Sequence, residues 1–136
     1  TWRFPPTPIS KTMTSLSELA QRECVPCRGD VPALTDEQIN PLLSQLGAGW
    51  HVVERDTPKH GTVKILQRTY RFENFAQAMA AAKRIGEMAE RQQHHPDLQV
   101  SWGRLAVEIW THKIGGLTES DFVFAAKCDA LMPEGK

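Results

Sequence analysis

The spacing of apolar and polar positions changes several times between residues 34 and 131, and each change predicts a new element. Thr35 to Gln38 has the reciprocal capping pattern of a helix start, in which two side chains satisfy free backbone groups. Apolar residues then recur at helical spacing as far as Gly47 and Gly49. They are Ile39, Leu42, Leu43 and Leu46. The segment predicts a first helix with one buried stripe.

Two β-like runs follow this helix. Trp50, Val52 and Val53 form the first, and residues 63–72 form the second after a polar connection that contains proline. The two runs predict an antiparallel hairpin. Within the second run, the apolar positions change parity, which predicts a β-bulge near Leu66.

Residues 73–93 carry the strongest helical pattern of the chain, with helix-forming residues and one apolar stripe. The stripe contains Phe75, Ala78, Met79, Ala82, Ile85 and Ala89. Pro96 disfavours helical geometry at the residue before it, so we expect this helix to end close to His94.

The last third of the chain predicts a second hairpin and a final helix. Residues 97–101 and 104–111 alternate in polarity around Trp102-Gly103, and Thr118 to Asp121 repeats the capping pattern. The element order α-β-β-α-β-β-α predicts an α+β fold, with a four-stranded antiparallel sheet and three helices packed on one face.

Length and charge narrow the possible functions. The 136 residues fit one domain, and the equal counts of 16 basic and 16 acidic residues favour neither nucleic acid nor an anionic membrane as a partner. No apolar run approaches the roughly 20 residues of a membrane-spanning helix, and three cysteines cannot complete a disulfide framework. We therefore expect a cytoplasmic protein whose partner is a small molecule or a protein.

The N-terminal residues differ in composition from the rest. Residues 1–12 hold three prolines among polar residues, and Met13 fits a natural start. Residues 1–22 are therefore predicted to be a disordered leader or an upstream addition, and residues 23–136 a single domain.

A Cys24-Val25-Pro26-Cys27 stretch has the spacing of redox pairs and of half a zinc site. Cys128 supplies at most one more thiolate, so four-coordinate zinc lacks ligands. We favour a surface or interface role for this stretch.

The candidate chemistry lies around His94 and His95. Glu90 precedes His94 by four residues, so the two side chains share one surface if the helix persists that far, and the carboxylate then favours an imidazolium. Pro96 favours a turn that lets both histidines face one ligand. His112, at the end of the fourth strand, can bring a third imidazole, and histidines exchange protons near neutral pH.

These residues and their spacing resemble the signature of the pterin-4a-carbinolamine dehydratases. The matching positions are Glu90, His94-His95-Pro96, Trp102, His112 and Asp121, together with a Gly49-Trp50 pair before the first strand. The resemblance implies removal of water from the 4a-hydroxytetrahydropterin left by aromatic amino acid hydroxylases, giving the quinonoid dihydropterin. It also implies a homotetramer built as a dimer of dimers, with no metal or other cofactor.

On that resemblance, His94 and His112 are assigned the acid/base roles and His95 substrate binding. Glu90 and Asp121 are assigned the tuning of nearby histidines. Each carboxylate also has a simpler explanation, because Asp121 occupies a helix-capping position and Glu90 is a candidate for a solvated helix charge.

Trp102 is grouped with the substrate-binding residues, although it also fits a role as a cover for the hairpin. Two rival functions remain. Glu90, His94 and His112 could imitate a metal site of two histidines and one carboxylate. Animal relatives are dimerisation cofactors of a transcription factor, so the helix over residues 73–93 could serve as an adaptor surface.

Overall fold

The computed structural model describes residues 16–22 and 32–132, which form four helices and one four-stranded sheet. The helices are α1 (Leu16–Gln21), α2 (Asp36–Leu46), α3 (Phe75–Gln92) and α4 (Glu119–Ala130). The strands are β1 (His51–Thr57), β2 (Gly61–Arg71), β3 (Asp97–Ser101) and β4 (Arg104–Ile109). The α+β prediction is confirmed. No helix in the described residues is long and apolar enough to cross a membrane.

The sheet is antiparallel throughout, in the order β1-β2-β4-β3. Both predicted hairpins are present, and the second turns at Trp102-Gly103, where Gly103 has a φ of 69°. The predicted bulge near Leu66 is wrong, because the pairing of β2 with β1 and β4 runs without an inserted residue. Leu66 faces the helices, and its neighbour Ile65 is buried on the second face of the sheet.

The main core lies between one face of the sheet and the helices. Helix α3 lies against β3 and β4, α4 lies against β2 and β4, and α1 and α2 both pack on α4. The largest fully buried side chains of this core come from α1, β2, α3, β4, α4 and the segment before α4: Leu19, Leu66, Ile85, Leu105, Ile109, Leu117, Phe122 and Phe124. Helix α4 is therefore buried on nearly all sides.

Helix α1 lies within residues that the sequence led us to assign to a leader. It packs on α4 with Leu19 fully buried, and Lys127 Nζ donates to the carbonyl of Ala20 over 2.7 Å. Residues 1–15 and the Cys24–Cys27 stretch lie outside the described residues. The folded unit thus includes a short helix that the pattern analysis missed.

The helix ends decide where the candidate residues point. Thr35 caps α2 with the predicted capping box. Helix α3 ends at Gln92, and Gln93 adopts a left-handed conformation with a φ of 55°. The chain therefore leaves the helix before His94, which places both histidines of the His94-His95 pair outside it.

A polar cluster inside the fold ties α4 to the sheet. The carboxylate of Asp129 accepts hydrogen bonds from Trp50 Nε1 at 3.0 Å, from Arg68 at 3.1 Å and from the hydroxyl of Tyr70. Burial raises the pKa of Asp129, and the hydrogen bonds from Tyr70 and Trp50 oppose that rise. The cluster connects the residue before β1, the last part of β2 and the end of α4.

We expect Asp129→Ala to lower the free energy of unfolding by about 2 to 4 kcal/mol, because it leaves three donors without their acceptor in a partly buried setting. Denaturant unfolding measures this loss. The matched control is Asp56→Ala, whose carboxylate accepts from Thr62 on an exposed part of β1, and we expect a loss below about 1 kcal/mol there. Equal losses in the two variants would contradict the proposed importance of the cluster.

A second network crosses the face of the sheet that the helices leave open. The Nη1 and Nη2 atoms of Arg55 donate to Glu108, and Gln67 Nε2 donates to the same carboxylate over 2.6 Å. The hydrogen bond from Arg55 holds the pKa of Glu108 below its usual range.

This lowered pKa predicts a pH dependence of stability. The contribution of Glu108 is present above the pKa that it has in the unfolded chain, and it is lost as the pH falls through the lower folded value. We expect Glu108→Gln to cost about 0.5 to 1 kcal/mol near neutral pH, since Arg55 is about half exposed, and progressively less as the pH falls below the pKa that Glu108 has in the unfolded chain. Unfolding curves at several pH values measure the difference, and a cost that does not change with pH would contradict it.

Candidate active site

The sheet register brings the three candidate histidines to one end of the sheet. Asp97, the first residue of β3, pairs with Glu108 near the end of β4. His95 lies two residues before Asp97, and His112 lies four residues after Glu108. The segment that enters β3 and the segment that leaves β4 are therefore neighbours.

The carboxylate of Asp121 joins these two segments. One oxygen, Oδ1, lies 2.6 Å from His94 Nε2, and the other, Oδ2, accepts from the Thr111 hydroxyl at 2.9 Å and from the Thr118 backbone N–H at 2.8 Å. Asp121 is fully buried. It therefore caps α4, as the sequence predicts, and it also binds His94; the tuning role assigned to it stays a prediction.

The hydrogens of this network follow from its donors and acceptors. The single hydroxyl proton of Thr111 goes to Asp121, so the Thr118 hydroxyl, 3.0 Å away, donates to the oxygen of Thr111. An ionised Asp121 only accepts, so the Nε2 of His94 carries a proton. The Nδ1 atom is then the nitrogen of His94 that is left for proton exchange with a ligand.

His94 is held more firmly than its neighbour. Its side chain is only 13% exposed, and its ring meets the ring of Phe124 edge to face at a centroid distance of 5.8 Å. His95 instead extends into solvent, where its Nε2 lies 2.6 Å from Glu90 Oε2 and both side chains are more than half exposed.

The predicted pairing of Glu90 with His94 is therefore wrong. It required the helix to persist to His94, whereas α3 ends at Gln92 and the left-handed Gln93 rotates the chain. This rotation places His95 against Glu90 and turns His94 towards Asp121.

His112 lies in an exposed turn that closes immediately after β4. Thr111 and Gly116 pair across this turn, with the Thr111 N–H donating to the Gly116 carbonyl over 2.9 Å. The His112 ring stacks on Trp110 with centroids 4.0 Å apart and planes inclined by 24°. His112 is thus one residue from Thr111, whose hydroxyl binds the same carboxylate as His94.

Trp102 lies away from this group. It is 73% exposed at the turn between β3 and β4, which is the opposite end of β3 from His95. Five residues of extended chain separate the two ends by about 16 Å. Within one chain, the structure does not bring Trp102 to the histidines.

Sequence reasoning missed Thr111 as a member of the site. A buried hydroxyl next to a candidate histidine, at the end of a strand, was the available signal. Thr111 is 3% exposed, so its hydroxyl needs an internal partner, and the carboxylate of Asp121 is that partner.

No cluster of three or more His, Cys, Asp or Glu side chains in residues 16–22 and 32–132 is arranged to hold a metal ion. The metal-site alternative needed Glu90 beside His94 and His112, whereas Glu90 contacts His95.

Comparison with known proteins identifies the family of this chain. The sequence profile of the family described as Pterin 4 alpha carbinolamine dehydratase matches residues 32–131. A pterin-4-alpha-carbinolamine dehydratase homologue from Rubrobacter xylanophilus is 51% identical over 116 residues, which cover 85% of this chain and 100% of that one. The Arabidopsis thaliana protein named Pterin-4-alpha-carbinolamine dehydratase 2, mitochondrial, is 40% identical and aligns with 92% of this chain and 65% of its own.

A solved structure shares the fold. The crystal structure of a transcriptional coactivator/pterin dehydratase from Brucella melitensis superposes with a TM-score of 0.61 and 28% identity, covering 73% of this chain and 97% of that one. The matching family profile and these relatives identify the chain as an α+β enzyme of the dehydratase class. This chain belongs to the pterin-4a-carbinolamine dehydratase family, and it is a hydro-lyase.

The hydrogen bond from His94 to Asp121 is directly observable. We expect the Nε2 proton of His94 to exchange slowly with water and to give a separate NMR signal, because a buried carboxylate holds it at short distance. Asp121→Asn should abolish that signal by removing the charged acceptor. The exposed His51 ring serves as an internal control without protection. A His94 ring proton that exchanges as fast as that of His51 would contradict the pairing.

Proposed function

We propose that the chain dehydrates 4a-hydroxytetrahydropterin to the quinonoid dihydropterin by histidine acid/base catalysis. The observation that carries this proposal is the hydrogen bond from His94 to Asp121. It lies at the end of the sheet where the chain leaves β4 and reaches His112. Two imidazoles can divide the donation and acceptance of protons. The membership of the family supplies the substrate class.

The proposed reaction transfers one proton in each direction. In its doubly protonated form, His94, held through Nε2 by Asp121, gives the proton on Nδ1 to the hydroxyl group on carbon 4a, which leaves as water. His112 takes the proton from the ring nitrogen at position 5, and the electron pair of that N–H bond forms the double bond to carbon 4a. The exposure of His112 lets solvent remove its proton, and His94 Nδ1 takes up a proton again before the next turnover.

His95 and Glu90 form the proposed substrate-orienting pair. Both are exposed at the rim, so they can exchange their mutual hydrogen bond for contacts with a polar pterin ring at modest cost. We leave Trp102 out of the proposed site of a single chain because it lies at the far end of β3.

The wider setting is part of the proposal. The substrate is supplied by aromatic amino acid hydroxylases, the product is returned for reduction, and the protein works in the cytoplasm as a tetramer built from two dimers. The name of the Arabidopsis relative places that protein in mitochondria. Sedimentation measures the assembly, and a monomer at micromolar concentration would contradict the tetramer.

An adaptor function is the second candidate, and one observation favours it. Phe75 and Met79, one turn apart on α3, are each 47% exposed. Large apolar side chains exposed together on a helix are typical of a surface that binds another protein. The Brucella protein is named both a transcriptional coactivator and a pterin dehydratase. A purified chain that is no faster than buffer in dehydration would favour this alternative.

We expect His94→Ala and His112→Ala each to lower the rate of dehydration by about 10²-fold or more, within the range of general acid/base catalysis. Single-turnover absorbance of the 4a-hydroxytetrahydropterin measures the rate above the uncatalysed background. The matched control is His51→Ala on the edge strand β1, which should keep the wild-type rate. Wild-type rates in folded His94 and His112 variants would remove the assignment.

Treatment with a chelator distinguishes the acid/base mechanism from the metal-site alternative. The proposed mechanism predicts an unchanged rate after dialysis against a strong chelator, because every proton transfer uses a side chain. Loss of activity on chelation, with recovery on adding iron or zinc, would instead support the metal site.

A further inference from the structure

His112 has an exposed ring, and the turn that carries it fixes only its backbone. The carbonyl of Thr111 accepts from the N–H groups of Ile114 and Gly115 at 3.2 and 2.9 Å, which closes the turn around His112. Among the described residues, no hydrogen bond reaches the His112 ring. An exposed imidazole without a partner samples several rotamers, and only some of them direct it at a bound substrate.

Trp110 supplies the contact that the turn lacks. Its ring is partly buried against the main core, and its face lies on the His112 ring at 4.0 Å. Offset stacking of this kind restricts the plane of the smaller ring. The exposed His112 thereby takes its orientation from a residue that the core holds.

His60 contacts Trp110 from the turn between β1 and β2. In that turn its backbone N–H donates to Thr57 Oγ1 over 3.0 Å. Its ring meets Trp110 edge to face, with centroids 6.1 Å apart and planes at 88°. The His60 ring also fills the space beside Gly115, where an added Cβ would lie 2.7 Å from His60 Nδ1. Gly115 thus allows the β1–β2 turn to approach the turn that carries His112.

We propose that Trp110 and His60 are positioning residues that orient His112 for the proposed proton transfer. This inference rests on the proposed function. Neither residue needs to touch the pterin, because each acts through the orientation of the His112 ring. Their effect should therefore fall on kcat and should disappear when His112 is absent.

The first test is a double-mutant cycle between Trp110 and His112. We expect Trp110→Leu to lower kcat about 3- to 10-fold with less than a roughly 2-fold change in KM, which is the loss of one stacking contact. Trp110→Phe, which keeps an aromatic face, should restore most of the rate. In a His112→Ala background, Trp110→Leu should cause no further loss. Equal losses in both backgrounds, or no loss in the wild-type background, would overturn the proposal.

His60 gives an independent variant that does not alter the stacked pair. We expect His60→Ala to lower kcat about 2- to 3-fold, and His60→Phe to retain the edge contact and the wild-type rate. Thermal unfolding of each variant shows whether it is folded. A His60→Ala variant with unchanged kcat would remove His60 from the proposal.

The second test is independent of activity. NMR of the wild-type chain should show the ring protons of His112 shifted upfield by the indole, and Trp110→Leu should return them to the position of an exposed histidine. If the shift is present but the wild-type chain does not dehydrate the pterin, the proposed function fails. The stacking of His112 on Trp110 is then still supported. Unshifted His112 protons in the wild type would overturn the proposal that Trp110 orients the His112 ring.

Discussion

Three donors converge on the buried carboxylate of Asp121, and the rest of the site takes its position from that convergence. A buried charge without partners would be strongly unfavourable, so the first turn of α4, the end of β4 and the exit from α3 must meet where they do. Thr118 contributes a backbone group, Thr111 a hydroxyl and His94 an imidazole. The same carboxylate therefore stabilises the fold and presents one nitrogen of His94.

The site combines a rigid part with an exposed part. His94 is nearly buried and is fixed by Asp121 and Phe124, whereas His95 and His112 lie at the rim. Because His94 is already held in place, less entropy is lost when the reactive geometry forms. The exposed histidines exchange protons with solvent quickly. The division suits a reaction whose only requirements are two proton transfers and the departure of water.

Sequence patterns predicted the parts of the fold that depend on local spacing. Helices α2 and α3 and both hairpins follow from apolar period, capping residues and the Trp102-Gly103 turn. The interactions that were missed join residues far apart in the chain, such as Trp50 and Asp129, which are 79 positions apart. Helix α1 has six residues and depends on burial of Leu19 against α4, so no local period could indicate it.

The difference between local patterns and contacts across the chain also explains which features of the candidate site the sequence predicts. The family signature predicts His94, His95, His112 and Asp121 as site residues, but the partners of His94 and His95 depend on a single backbone angle. A left-handed Gln93 exchanges the expected partners of His94 and His95, and one-dimensional spacing cannot show such a rotation. The contacts of Trp110 with His112 and His60 form only where the β1–β2 turn meets the turn after β4.

A crystal structure of this chain with a reduced pterin bound tests the central claim most directly. The account predicts that the ring lies at the β3 entrance, with His94 Nδ1 and a His112 nitrogen each within about 2.6 to 3.2 Å of atoms at or next to carbon 4a. A pterin bound elsewhere, or one that touches His94 while the His112 ring stays out of reach, would contradict it.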